Sequence, residues 1–512
     1  MTLPAIVKDI KDIYKKSPVN ILLLTVDCLR LDCITNTFYS NMFARNISNL
    51  ASKGILFHET IANSSWTIPS FISLFTSTYS LIHDILTNYT LSGVRVLNKH
   101  DGQNEFLYPV KVRAGTLSLP CTLSTKQYIN ICINSAPHSY INRYLMEIAK
   151  HFKIFRGNIF TPISVKQIIV IPEPLDTLLG VIRCKSGFIS KGLAYIHPQI
   201  NQAIKDTKPY TDAKEIINEA LFLIRKIRNR MDNNLFVWLH FMDAHEPYIA
   251  SSRFFEELGW TTAEALTHSY EILAKIHFCP DKLTKYDLKL LNKFYNYSIK
   301  YVDECIGYFL EKLEEISFER DTLIILTADH GELLGEHNAI GHGGLLYDEL
   351  IRVPLIIKGL GLPQGMKINS QISLMDLMPT ILEILGINAP KTLQGKSRLY
   401  LIDEKDSTAG EPVISECIGP ETYRFSYRTK DWKYILTIKR KSIIEELYNI
   451  KSNQGERENL AQMEKDLTKV FRERIIDHIK MILRYWRMYR ERERLIQRIH
   501  DLKRTLATRT SY

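Results

Sequence analysis

The chain is 512 residues long, with 45% hydrophobic and 24% charged residues and a net charge of +10, the composition of an ordinary globular protein large enough for one big α/β domain with additions. Its charge is uneven. The last fifty residues, 463–512, carry 14 Lys/Arg against 7 Asp/Glu, so the body is nearly neutral and gives no reason to expect a nucleic-acid partner. The apolar run Val19–Val26 is far shorter than the roughly 20 residues of a membrane-spanning helix. No apolar segment follows a basic start at the N-terminus, so the expected location is cytoplasmic, and Asn63-Ser64-Ser65 is read as a chance glycosylation triplet. The eight cysteines show no C-x-x-C pair and are read as reduced, mostly buried thiols.

In chain order, Val19–Val26, Leu235–Phe241 and Thr322–Ala328 are short, continuously apolar and rich in β-formers, as strands covered on both faces are. Helical spacing runs between them, over Asp212–Arg230 (Ile216, Ala220, Leu221, Ile224) and Tyr286–Ile316 (Leu290, Phe294, Ile299, Val302, Ile306, Leu310). Alternation of strands and helices predicts an α/β fold with a mostly parallel sheet. Residues 84–205 are less patterned, with a strand expected at Tyr128–Ile133 and a helix at Ser139–His151. Beyond Gly359 the pattern shortens to strands and turns such as Trp432–Ile438, an expected α+β subdomain over 361–462. The segment 463–512 reads as a basic helical tail, with apolar residues at 467, 471, 475, 479, 482 and 486. It suits packing on the body, self-association, or a peripheral membrane contact aided by Tyr485, Trp486 and Tyr489; the first is favoured.

Polar residues cluster where the strands stop: Asp27 after the first, Asp243 and His245 after the second, Asp329 and His330 after the third. Ligands of open α/β sheets bind beyond the carboxyl ends of their strands. A single Asp there is ordinarily a turn or cap; three such endings point to a built site. In Ser64-Ser65-Trp66-Thr67-Ile68-Pro69-Ser70-Phe71, Thr67 suits a helix N-cap with Pro69 in the first turn. The same helix start favours a phosphate or sulfate group. A Thr67 hydroxyl becomes a nucleophile only with a metal or a base to take its proton. Asp27, Asp329 and His330 offer oxygen and imidazole ligands for one or two divalent ions, zinc, manganese or magnesium, with calcium less suited because of the histidine. His245 and His342, the latter in Gly341-His342-Gly343-Gly344, are candidates for catalysis or substrate binding, and Arg30 reads as a structural ion pair.

These segments resemble the sulfatase family of the alkaline phosphatase superfamily. VNILLLTVDCLRLD is similar to its opening strand, FVWLHFMDAHEPY to its substrate-contacting histidine segment, and LTADHGELLGEHNAIGHGGLLYDELIRVPLIIKG to its second metal motif and the strand after it. SLMDLMPTILEILGI and ELYNIKSNQGERENLA resemble later family segments, so the likeness runs in family order over roughly 18–461, apart from 84–205. The resemblance implies an alkaline-phosphatase-like catalytic domain over 1–360, in which 84–205 sets specificity. It implies metal ligation by Asp27, Thr67, Asp329 and His330, attack from position 67, and substrate or leaving-group contacts from His245 and His342.

The sequence departs from the family pattern at four places. Thr67-Ile68-Pro69-Ser70-Phe71 stands for C/S-x-P-x-R, so formylglycine cannot form and the arginine is Phe71. Cys28 stands where many members have Asp, and His330 where many have Asn. A metal-activated threonine resembles the phosphodiesterase and phosphoglycerol-transferase branches instead. The expected function is hydrolysis or transfer of phosphate or sulfate esters, on a substrate that is glycan- or lipid-linked if the tail meets a membrane. A sulfuric ester hydrolase working without formylglycine and a non-catalytic binding protein that keeps the fold are the alternatives.

Overall fold

The structure, a computed structural model, describes residues 5–16, 19–85, 95–96, 110–111, 116–137, 148, 150–158, 210–229, 233–248, 252–404, 410–419, 422–440, 442–452 and 455–509. Most of 84–205, including nearly all of the expected helix Ser139–His151, lies outside these residues.

One sheet organises the body. Its strands are β1 (Asn20–Val26), β2 (Ile55–Ile61), β3 (Ile129–Pro137), β4 (Ile154–Asn158), β5 (Leu235–Phe241), β6 (Thr322–Thr327), β7 (Arg352–Lys358), β8 (Met366–Ile368) and β9 (Ile372–Ser373). They lie in the order β8-β2-β7-β6-β1-β5-β3-β4, with β9 also pairing with β2. β6, β1, β5, β3 and β4 are parallel neighbours, and β7 runs against β6 and β2. All residues of β5 and β6 are buried, which is why their sequences are continuously apolar rather than alternating.

Helices flank the sheet. α1 (Thr67–Thr76) follows β2 and is buried along its whole length. α2 (Ala213–Arg228) is capped by Asp212, whose side chain accepts from the Lys214 N–H, and buries Ile216, Ala220, Leu221 and Ile224. α3 (Lys285–Glu315) starts at a capping box between Thr284 and Asp287 and buries Leu290, Phe294, Ile299, Val302 and Ile306, so the apolar spacing read from the sequence is the face that packs. α4 (Leu377–Ile384) packs beside α1. Because β8 and β9 bond to β2, residues 366–373 belong to the main sheet.

A second sheet begins at Val413. β10 (Val413–Ile418), β11 (Thr422–Arg428), β12 (Trp432–Lys439) and β13 (Ser442–Asn449) form an antiparallel meander. It is stitched to the body where β2 leaves the main sheet: Glu416 N–H donates to the Asn63 carbonyl (2.8 Å) and Ser415 Oγ to the Ala62 carbonyl (2.6 Å). The tail is helix α5 (Lys465–Arg509). Its first turns bury Phe471, Ile475 and Ile482 against Phe425, Tyr434 and Leu436 of the second sheet. Arg472 grips Glu445 at 2.7 and 2.8 Å, and His478 Nε2 lies 2.7 Å from Glu416. The Trp486 indole N–H donates to the Leu81 carbonyl at 2.7 Å, so this ring, a candidate membrane anchor in the sequence, is engaged with the body. No helix among the described residues is long and apolar enough to cross a membrane.

The docked half of α5 makes a stability prediction. Ile475 is fully buried and Met488 is 68% exposed. Ile475→Ala should cost about 2–5 kcal/mol in denaturant unfolding, whereas Met488→Ala should fall within about 0.5 kcal/mol of wild type. Equal effects would mean that the helix does not dock.

Candidate active site

Strand register assembles the centre. Thr25 of β1 stands beside His240 of β5 and Thr327 of β6. Two residues beyond those threonines the chain delivers Asp27 and Asp329 side by side at the carboxyl edge, and the Asp27 N–H is pinned to the Phe241 carbonyl at 2.9 Å. Cys28 then takes a left-handed turn (φ 61°), a sterically costly conformation for a non-glycine residue. Its thiol donates to Asp27 Oδ1 at 3.0 Å. Burial, with the Asp27, Glu332 and Asp329 charges, pushes the thiol well above its ordinary range, so it stays a donor.

Thr67 is the first residue of α1; the cap position falls to Trp66, whose extended backbone precedes the helix. This corrects the sequence reading of Thr67 as the cap by one residue. It also frees the hydroxyl, which lies 3.1 Å from His330 Nε2. His330 Nδ1 faces the Gly331 carbonyl at 2.9 Å, which fixes Nδ1 as the protonated nitrogen and leaves the Nε2 lone pair to the site. That Nε2 lies 3.6 Å from Asp27 Oδ1 and 3.5 Å from Asp329 Oδ2. Burial, reinforced by the neighbouring His342, lowers His330 to about 3, so it is a neutral imidazole. Gly331 sits too close to the Glu349 carbonyl for any Cβ, and this close approach lets the Asp329-His330 turn fold under β7.

Asp27, Asp329 and His330 are fully buried and Thr67 nearly so. Burial raises the Asp27 carboxyl, but its contact with His240 and the surrounding imidazoles outweigh that and hold it well below its usual range. Burial and the Asp27 charge push Asp329 well above. Two carboxylates in one dry site cannot both ionise without a cation. Among the described residues, Asp27 Oδ2 and Asp329 Oδ2 have no hydrogen-bond partner. Oxygen donors without partners, a neutral imidazole and an adjacent hydroxyl form a donor set that fits a divalent ion.

His342 and His245 stand together on one side of this centre. Their rings are 4.8 Å apart, and His342 stacks on His330 at 4.5 Å. Against the effect of burial, the Glu332 carboxylate 3.2 Å away raises His342 to about 9, so it is an imidazolium at neutral pH. His245 Nδ1 lies 2.7 Å from the Glu246 carbonyl, leaving Nε2 available. The His342 loop is clamped from two sides. Gly343 N–H donates to the Ser65 carbonyl (2.6 Å) just before α1, while Arg424 of β11 donates to the Gly344 carbonyl (2.5 Å).

Asp243 lies apart, accepting from the Ala213 N–H at the start of α2 (3.3 Å), the capping role ordinary for an Asp after a strand. Arg30 pairs with Asp32 and Glu336, each at 2.7 Å. Two residues escaped the sequence reading. Glu332 sits two positions after His330, and nothing in the sequence pattern sets it apart. His240, fully buried, lies inside a run read as a strand; it is the one titratable side chain there, and that interruption was the available signal.

The family model described as Sulfatase matches residues 20–387. The chain belongs to the sulfatase family. A second model, for the N-sulphoglucosamine sulphohydrolase C-terminal region, matches 335–481, a stretch that runs from ahead of β7 through the second sheet into α5. Arylsulfatase K of Bos taurus is 30% identical over 192 residues, 36% of this chain and 35% of that protein, so the matched stretch is about a third of the relative's length. Phosphonate monoester hydrolase from Silicibacter pomeroyi has the same fold (TM-score 0.62, 19% identity, covering 90% of this chain and 95% of that one). So does a protein solved with its substrate D-glucosamine-2-N,6-O-disulfate (TM-score 0.59, 16% identity, covering 91% and 98%). In this member of the sulfatase family, the Phe71 ring packs at right angles to His240 with ring centres 4.9 Å apart.

The Glu332–His342 pair is testable by pH. A histidine raised from 6.5 to about 9 adds stability that is complete below about pH 6.5 and is lost as pH rises through about 9. Glu332→Gln should bring the His342 titration, followed by histidine NMR, down towards the ordinary value, and flatten the fall in melting temperature across that window. An unmoved titration would show that Glu332 does not hold the charge.

Proposed function

We propose that the protein is a metal-dependent ester hydrolase whose nucleophile is the Thr67 hydroxyl and whose substrates are phosphate, phosphonate or sulfate esters. The observation that carries this reading is Thr67 Oγ1 at the start of a buried helix, 3.1 Å from His330 Nε2 and beside two carboxylates with unpartnered oxygens. Asp27, Asp329 and His330, with Thr67, would hold a divalent ion. When bound, the ion favours the alkoxide form of the hydroxyl and polarises the ester oxygens.

The chain's own groups account for the rest. The first-turn N–H groups of α1 and its dipole receive the anionic oxygens of the ester. Thr67 Oγ, its proton given up to solvent before the ester enters, attacks phosphorus or sulfur. As the bond to the ester oxygen breaks, that oxygen takes a proton from the His342 imidazolium, and His245 Nε2 steadies it with a hydrogen bond. The covalent group on Thr67 is released by a second attack, from water or an acceptor hydroxyl, with His342, now neutral, receiving the proton. Threonine has no second hydroxyl with which to expel the group by elimination, so release needs attack at the central atom. This supports phosphoryl and phosphonyl esters ahead of sulfate. A sugar-linked ester is supported by a protein of this fold that binds a disulfated glucosamine.

Intact mass after incubation with aryl phosphate, aryl phosphonate and aryl sulfate esters tests the reading. A covalent phosphoryl or phosphonyl adduct should form, vanish in Thr67→Ala, and be accompanied by a loss of about 10³-fold or more in kcat. A sulfuryl adduct alone would move the substrate to sulfate esters. Turnover unaffected by Thr67→Ala would remove Thr67 as nucleophile.

A further inference from the structure

His240 has an unusual position for a buried histidine. It is fully buried and lies against two aromatic rings: Phe71 stands at right angles with centres 4.9 Å apart, and Trp238 lies 6.1 Å away. Its Nδ1 is 3.0 Å from Thr25 Oγ1. That hydroxyl also faces the Leu239 carbonyl (3.3 Å) and accepts from the Trp238 indole N–H (2.9 Å). With the Thr25 proton on the Leu239 carbonyl the hydroxyl offers Nδ1 a lone pair and Nδ1 carries the ring proton; with the Thr25 proton on Nδ1 the ring proton sits on Nε2. In the first arrangement the Nε2 lone pair faces Asp27 Oδ2, 3.5 Å away, and in the second the Nε2 proton faces it. Nε2 has no hydrogen-bond partner among the described residues, and neither do Asp27 Oδ2 and Asp329 Oδ2. One ligand atom from each of His240, Asp27 and Asp329 lies within 4.8 Å of the other two.

The first arrangement sets a nitrogen lone pair against two carboxylates in a dry pocket, which is repulsive until a cation lies between them, so binding of an ion would select it. The separations suit one. Ligand atoms of a tetrahedral zinc, at bonds of about 2.0 Å, are about 3.3 Å apart, close to the 3.5 Å from His240 to Asp27 and the 3.5 Å from His330 to Asp329. The Trp238–Thr25–His240 chain is the kind of outer support that orients a ligating imidazole.

We propose that His240 Nε2 is itself a ligand of the divalent ion, so that the protein binds its metal through two imidazoles, His240 and His330, and two carboxylates, Asp27 and Asp329. The inference rests on the proposed metal-dependent reading and sharpens it. Two neutral nitrogen donors favour zinc over manganese or magnesium and disfavour calcium, which takes an all-oxygen shell.

The test uses the full chain, freed of metal and reloaded with zinc, cobalt(II) or calcium. Elemental analysis and titration give stoichiometry and affinity, and X-ray absorption of the zinc form counts imidazole ligands. The expected result is tight zinc and cobalt binding, weak calcium binding, and an absorption spectrum fitted by two imidazoles. His240→Gln should weaken zinc at least about 10²-fold and narrow its advantage over calcium, and Thr25→Val, which keeps the imidazole but removes its support, should weaken zinc about 10-fold. One imidazole in the wild-type spectrum, or unchanged zinc affinity and cobalt spectrum in a folded His240→Gln, overturns the proposal while leaving the metal-dependent reading standing. Wild-type protein that takes up no divalent ion overturns both.

Discussion

The centre depends on the repulsion between two carboxylates. Asp27 and Asp329 come off adjacent parallel strands at the same level, and oxygens of the two lie within 4.8 Å of each other. Unit charges at that separation repel by roughly 3–4 kcal/mol at an effective dielectric constant of about 20. The surrounding architecture answers that cost. Cys28 turns its thiol onto Asp27, the His330 backbone N–H donates to Asp329 Oδ1 at 3.0 Å, and three imidazoles crowd the same space. The strand register that creates the conflict is held by the backbone ladders of β1 with β5 and β6, and a one-residue slip would turn one carboxylate to the opposite face. Fold and chemistry are thus specified by the same ladder of hydrogen bonds.

Within that frame the imidazoles divide the work by environment. His330, crowded by burial and by a charged neighbour, stays neutral and keeps its lone pair for the site. His342, held by Glu332, stays protonated. Two stacked rings 4.5 Å apart therefore stand in opposite protonation states at neutral pH, the separation of roles that acid–base chemistry on an ester requires.

The sequence displayed Asp27, Asp329 and His330 because strand endings interrupt apolar runs abruptly, and Thr67 because a proline one turn into an apolar segment marks a helix start. It displayed the amphipathic face of α5 through its spacing. His240 stayed hidden for the reason that makes it interesting: it sits within a strand buried on both faces, where no alternation separates lining from core, and only strand pairing shows that it stands beside Thr25 rather than in apolar packing. Glu332 stayed hidden because its partner is ten residues away around a loop. The extent of the main sheet could not be read either. β8 and β9 are two or three residues each, too short for a periodic signal, and their place beside β2 is decided by tertiary pairing.

The clamp on the His342 loop has a consequence for the protein's modularity. One side of that loop is tied to the entrance of α1 and the other to β11, so the second sheet acts as a wall of the reaction chamber rather than as an appendage. The two sheets are not interchangeable parts. Swapping the C-terminal sheet for that of a relative, or clipping the chain ahead of Val413, would leave Asp27, Asp329 and His330 in place but deprive the His342 loop of its outer support. Recombination within this family should therefore preserve activity only when the Gly341–Gly344 loop and β11 are inherited together.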